Sequence, residues 1–241
     1  MNDELKFTVI SDTHYYSKKN FVDGFDKNKK PKPGQLFFSR SEEIVEHTFD
    51  CLCKNDTPDI VLISGDLTYN GERTSHDEMK AALKKLQQKG KRVYVITATH
   101  DYTSPRMPTY GIDKNDKYIE VESVKRTQLL KYYGDFGYNN AIAKHKSTMS
   151  YVAQLADGYR LFALNDDYGD PDCGFSDELM NWVKTEANNA KRDGQYIIAM
   201  THHPLVPPSP IYAAVAKGDM LSEYELRRKQ LSDLGFDFVL T

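Results

Sequence analysis

The run DIVLIS, residues 59–64, is apolar from Ile60 to Ile63 and is bounded by Pro58 and Gly65. A strand that alternates apolar and polar residues buries one face. A short strand with no polar position inside it is buried on both faces, the condition of a strand in a parallel sheet covered by helices. Parallel neighbours need crossover connections of a dozen or more residues, usually helical. The chain supplies them on both sides. LKFTVIS (5–11) reads as a preceding strand and RVYVIT (92–97) as a following one. Between them, residues 41–53 place Ile44, Val45, Thr48, Phe49 and Leu52 at helical period, with Ser39 and Glu42 at capping-box spacing. A second helix is expected where Ser75 and Glu78 cap a stripe of Met79, Ala82, Leu83 and Leu86 that ends at Gly90.

The middle of the chain breaks the alternation. Residues 123–133 read as helical. TMSYVAQL (148–155) and YRLFALN (159–165) flank Asp157-Gly158, a strong hairpin signal. A helix over 177–192 follows, capped by Ser176 and stopped by Gly194. Then come a strand at 196–200, a proline-rich loop, a helix near 222–233 and a last strand at 236–240. Parallel units around an antiparallel hairpin predict an α/β layered fold with mixed strands.

The length of 241 residues is enough for one large core, and the chain is read as a single domain over 1–241 with long loops at 15–38 and 102–122. The first loop carries six lysines, which read as a solvated face or as a patch that draws in an anionic substrate. A net charge of −3 is the wrong sign for a general nucleic-acid binder. No run of about 18 apolar residues exists, so no membrane span is expected. The N-terminus MNDELKF has no signal-peptide core, which favours the cytoplasm, or export with a signal already removed. Cys51, Cys53 and Cys173 form no CxxC and read as small core or surface residues.

In open α/β sheets, ligands bind at the carboxyl ends of the strands. The first strand ends in Ser11-Asp12-Thr13-His14, the second in Ser64-Gly65-Asp66, and the third in Thr97-Ala98-Thr99-His100-Asp101. The strand at 196–200 ends in Thr201-His202-His203-Pro204. Each signal alone also reads as an ordinary turn or packed loop. Together, four strands deliver carboxylates and imidazoles to one edge, and these donors suit Zn, Mn or Fe. Residues i and i+2 of an extended segment point the same way, so Asp12 and His14 are expected to grip one ion. His47, His76 and His145 lie away from strand ends and read as structural or surface residues.

The set Asp12-x-His14, Gly65-Asp66, His100-Asp101 and His202-His203-Pro204, with the stretch SGDLTYNG (64–71), resembles the calcineurin-like metallophosphoesterases. The resemblance covers the whole chain. It implies a four-layer α/β/β/α sandwich of two mixed sheets flanked by helices, with a two-metal centre. It implies that Asp12 and His14 hold the first metal, Asp66 bridges, and His202 holds the second. His100 would contact the substrate phosphate or leaving oxygen, steadied by Asp101. The ions would be divalent Mn, Fe, Zn or Ni. The implied reaction is hydrolysis of a small-molecule phosphomonoester or phosphodiester by attack of a metal-bound hydroxide.

Two departures from the family pattern stand out. The family reads Gly-Asn-His-Asp where this chain reads Ala98-Thr99-His100-Asp101. Thr99 offers the second metal only a hydroxyl on a short arm, so that site is expected to be weak. The family also places Gly-His-x-His after its last core strand. Here FDFVL runs directly to Thr241, so the expectation is a domain cut short at its C-terminus, with the strand at 236–240 partly unpaired. Both departures favour an alternative, a non-catalytic scaffold or binding module on the same fold. A nucleotide-binding Rossmann protein is a distant third, since no GxGxxG follows the first strand.

Overall fold

In a computed structural model that describes residues 4–22, 38–54, 56–168 and 173–241, the chain forms two compact units. One is Met1–Val93 with Thr99–Gly134, the other Tyr94–Ala98 with Asp135–Thr241. Most of the lysine-rich loop falls at 23–37, outside the described residues.

The first unit opens with β1 (Phe7–Ile10), α1 (Ser41–Leu52), β2 (Ile60–Ser64) and α2 (Arg73–Gln88). β3 (Arg92–Ile96) begins in this unit and passes into the second. β1, β2 and β3 form a sheet in that order, with β1 parallel to β2. Every residue of β2 is buried, as its unbroken apolar run requires. A two-stranded ribbon of β4 (Gly111–Ile112) and β5 (Tyr118–Ile119) occupies the expected loop at 102–122, and α3 (Leu129–Tyr133) closes the unit.

The second unit holds β6 (Ala143–His145), β7 (Ser150–Ala156), β8 (Tyr159–Ala163), α4 (Asp177–Arg192), β9 (Tyr196–Met200), α5 (Pro210–Val215), α6 (Tyr224–Asp233) and β10 (Phe238–Leu240). Its sheet runs β10-β9-β8-β7-β6, parallel from β10 to β8 and antiparallel from there to β6. The Asp157-Gly158 turn joins β7 to β8, with Gly158 at φ 78°. Along α4, Leu179, Met180, Val183, Ala187 and Ala190 lie at helical spacing. They pack in one core with Phe162, Phe175, Ile197 and Leu231. Each large apolar side chain removed from water here contributes roughly 1.5–3 kcal/mol. Ser176 caps α4 by accepting from Leu179 N at 3.2 Å. β10 pairs with β9 on one side and, among the described residues, is the edge of its sheet.

Several local expectations fail for one physical reason: the polar groups and backbone found tertiary partners. α1 is preceded by Arg40 with no side-chain cap, and Glu42 instead accepts from Lys18 N at 3.0 Å. α2 starts at Arg73, before Ser75. Ser75 Oγ accepts from Ser17 N and Asn20 Nδ2, both at 3.1 Å. Glu78 accepts from Tyr15 Oη at 2.9 Å and pairs with Lys19 at 2.8 Å. The residues read as caps therefore anchor the segment after His14. The helix expected over 123–133 is shortened to a 3-10 turn at Arg126–Gln128 and α3. Val124 N donates to Gly71 O and Val124 O accepts from Thr103 N, which holds residues 123–124 extended. The proline-rich loop contains α5, capped by Ser209 with proline in its first turn. Among the described residues, no helix is long and apolar enough to cross a membrane.

Candidate metal centre

β1 ends at Ile10, and the chain beyond it is laced to the chain beyond β2. Asp12 N donates to Gly65 O (3.3 Å), His14 N to Asp66 O (3.0 Å) and Tyr15 N to Leu67 O (2.9 Å). Thr13 Oγ1 adds a bond to Leu67 O at 2.8 Å. Backbone pairing past the strand ends thus brings Asp12, His14 and Asp66 together. The route differs from the one the sequence suggests. Asp12 (φ 54°), His14 (φ 38°) and Asp66 (φ 49°) all have left-handed backbone, so their alignment does not come from an extended i, i+2 pair. Non-glycine residues pay for this conformation, about 1 kcal/mol or more each, and such outliers concentrate at functional sites. Gly65, at φ 104°, makes the bend that turns Asp66 inward.

His14 Nε2 lies 3.6 Å from Asp12 Oδ1 and 3.7 Å from Asp66 Oδ2. These separations are too long for good hydrogen bonds. They suit two atoms bound to one ion, since ligands about 2.1 Å from a tetrahedral metal sit roughly 3.4 Å apart. His14 Nδ1 is buried and has no hydrogen-bond partner. Burial acts to lower the His14 pKa. The adjacent Asp12 carboxylate and the charges of Asp66 and Asp101 outweigh it, and the pKa stands above the ordinary 6.5. A site that attracts a proton this way also attracts a cation. The donor set therefore fits a divalent transition metal.

His100 belongs to the 3-10 turn Thr99–Asp101. Its ring meets the His14 ring edge-on, with centroids 4.6 Å apart. Donor atoms of His14, Asp66 and His100 all lie within 4.8 Å of one another. Three bonds from one stretch of chain hold His100. Its backbone N–H donates to Asp66 Oδ1 (3.0 Å), its carbonyl accepts from Thr68 Oγ1 (3.0 Å), and its Nδ1 meets Tyr69 O (2.5 Å). A carbonyl can only accept, so Nδ1 carries hydrogen and Nε2 carries the ring's lone pair. Asp101 is fully buried, and its Oδ1 accepts from Thr68 N at 2.9 Å. Half-buried Thr99 opens the turn. Tyr15, Tyr16 and Tyr102 are buried in the first unit, with hydroxyls engaged by Glu78, the Tyr110 carbonyl and Arg126.

His202 lies in the second unit, in the turn after β9. Asp166 organises that turn. Its Oδ2 accepts from Thr201 Oγ1 (2.7 Å), His202 N (3.1 Å) and His203 N (2.8 Å), while Oδ1 meets His203 Nδ1 at 2.9 Å. Burial pushes the Asp166 pKa up, but His203 and its other partners hold it below the usual range. Burial likewise opposes charge on His203, and the Asp166 bond more than reverses that. Both shifts favour the charged forms of the pair. Asn165 Oδ1 accepts from Thr97 N at 2.8 Å within the same unit.

Sequence reasoning singled out Asp12, His14, Asp66, Thr99, His100 and Asp101, all in the first unit, and His202 in the second. It missed Thr68, Tyr69 and Asp166. Thr68 and Asp166 are hydrogen-bonding side chains next to strand ends, a signal that was available. Tyr69 acts through its carbonyl, which no residue type reveals.

No curated protein matches the chain. A crystal structure of a dimetal phosphatase from Danio rerio is similar in fold, with a TM-score of 0.61 at 13% identity, covering 94% of this chain and 77% of the other. The mixed α/β architecture expected from the sequence agrees with that fold. The family model for calcineurin-like phosphoesterases matches residues 5–241, across both compact units, and the chain belongs to that family.

Proposed function

We propose that the chain is a metal-dependent phosphoester hydrolase acting on small phosphomonoesters or phosphodiesters, with residues 1–241 working as one functional domain. The observation that carries this reading is the convergence of Asp12, His14 and Asp66 on left-handed backbone, with ligand atoms spaced for an ion and His100 beside them. Family membership supports it.

Asp12, His14 and Asp66 would hold one divalent ion, and Asp66 and Thr99 would offer oxygens to a second; His202, in the other unit, is a separate candidate ligand. Such ions supply positive charge to phosphoryl oxygens and bring the pKa of a bound water from about 15.7 toward 7. The chain's own contribution centres on His100. With Nδ1–H held by the Tyr69 carbonyl, Nε2 would be the atom that meets the substrate. There it binds a phosphate oxygen or hands a proton to the leaving oxygen. The Tyr69 carbonyl stabilises the charged ring that such a donor needs. Asp101 acts through Thr68, which bonds both the Asp101 carboxylate and the His100 carbonyl.

Thr99, standing where the family has asparagine, favours a second reading, a binding module that kept the fold and lost turnover. One experiment separates the two. The protein is loaded in turn with Mn, Fe, Zn and Ni, its metal content is measured, and it is assayed on an aryl phosphate monoester and diester with and without chelator. Metal-dependent turnover is expected. Bound metal with no turnover in all four cases would leave the binding module.

A further inference from the structure

The buried stripe of α2 runs Met79, Leu83, Leu86, all fully enclosed. One turn earlier the same face carries His76, also at 0% exposure. Packing alone would favour another leucine there. A buried imidazole needs a partner for each nitrogen, and His76 has both. Nε2 meets the Asp101 carbonyl at 3.0 Å, and Nδ1 meets Tyr133 Oη at 2.6 Å. The carbonyl fixes Nε2 as the donor, so Nδ1 accepts from the tyrosine. Burial drives the His76 pKa down to about 3, and the ring is neutral throughout the physiological range. Tyr133 is itself buried.

The two bonds end on the turn that carries His100. Asp101 O closes the 3-10 turn and is deep in the unit, where an unpaired carbonyl would be costly. His76 holds that end. Thr68 holds the other side of the same turn through His100 O and Asp101 Oδ1, and Gly71 N in turn donates to Thr68 Oγ1 at 3.2 Å. Gly71 has no room for a side chain: a Cβ there would lie 2.7 Å from Tyr102 backbone atoms.

We infer that His76, braced by Tyr133, is a positioning residue that fixes the Thr99–Asp101 turn so that His100 presents Nε2 in a single orientation. The catalytic part of this rests on the phosphoester hydrolase reading; the structural part does not.

The test uses His76→Leu, His76→Gln and Tyr133→Phe in the full chain, with two readouts. In metal-free protein at alkaline pH, ¹⁵N spectra of the His100 ring report its tautomer. Wild type should show Nδ1–H alone, His76→Leu a mixture, and His76→Gln, whose amide can donate to Asp101 O, the wild-type pattern. In metal-loaded protein, His76→Leu should lower kcat about 10–100-fold with KM and metal content nearly unchanged, as for other outer partners of a site. His76→Gln should recover most of that loss. If His76→Leu fails to fold, Tyr133→Phe keeps the volume and should still broaden the His100 tautomer signal. An unchanged His100 spectrum in Tyr133→Phe and in folded His76→Leu overturns the inference, as does an equal kcat loss in His76→Leu and His76→Gln. A shifted spectrum in a family of proteins that never turn over would uphold the positioning role and remove the hydrolase reading instead.

Discussion

The backbone N–H of His100 donates to Asp66 Oδ1 at 3.0 Å. The residue proposed to serve the substrate is therefore tied to the residue proposed to be shared by the ions, and each should report on the other.

Asp66→Asn tests the shared ligand. An amide keeps an oxygen for the His100 N–H but removes the charge. Metal affinity should fall by more than about 100-fold and turnover should disappear with it. Elemental analysis at the wild-type metal content in this variant would remove Asp66 from the metal set.

His100→Ala separates substrate work from metal work. Loss of a general acid–base group lowers kcat by roughly 10²–10⁴. Bound metal should hardly change, even though His100 stands with His14 and Asp66 as a group able to hold an ion. An emptied site after this substitution makes His100 a ligand.

Thr99→Asn restores a carbonyl oxygen where the chain has a hydroxyl. It should tighten the weaker metal equivalent in a calorimetric titration and raise activity. Identical titration curves for the two proteins would mean that residue 99 faces no metal.

Two buried groups, His76 and Glu72, contribute to the pH dependence of stability with opposite signs. His76 has a pKa near 3 against an ordinary 6.5, because burial disfavours its charge. Its folded value is depressed, so its contribution is complete above 6.5 and is lost as pH falls toward 3. Glu72 is raised from 4.5 to about 7 by burial, against opposing bonds from its own N–H and those of Asn70 and Tyr69. Its contribution is complete below 4.5 and is lost as pH rises through 7. Between 4.5 and 6.5 the two slopes, each up to about 1.4 kcal/mol per pH unit, oppose each other. Glu72→Gln should stabilise the protein above pH 7 by roughly 1–3 kcal/mol. It should also expose the His76 loss as a steeper fall in Tm from 6.5 to 4.5. Parallel Tm–pH curves for variant and wild type would contradict this.

What was legible in the sequence was what depends on local period and strand order. The full burial of β2 follows from Ile60–Ile63, and α4 runs over 177–192 with its Ser176 cap as expected. The metal-site candidates were visible because strand ends are fixed by topology. What stayed hidden depends on where distant chain lands. Ser75 and Glu78 have the composition of a cap, and only the approach of residues 15–20 turns them into anchors. The sign of φ at Asp12 and His14 is likewise set by pairing with residues 65–67. The hold on His100 runs through the carbonyl of Tyr69, and every residue has a carbonyl.

Asp12, His14 and Asp66 occupy backbone that glycine would adopt without steric cost. If these residues serve a metal, stability and activity place opposite demands on these three positions. Selection for heat resistance alone would drift them toward glycine or asparagine, as at other strained sites where stability and activity trade off. Under the phosphoester-hydrolase reading, selection for turnover would forbid the drift. A mutant library screened with chelator and the same library screened with metal should diverge first at positions 12, 14 and 66. A lineage that had given up the reaction would carry that mark there before its core had changed.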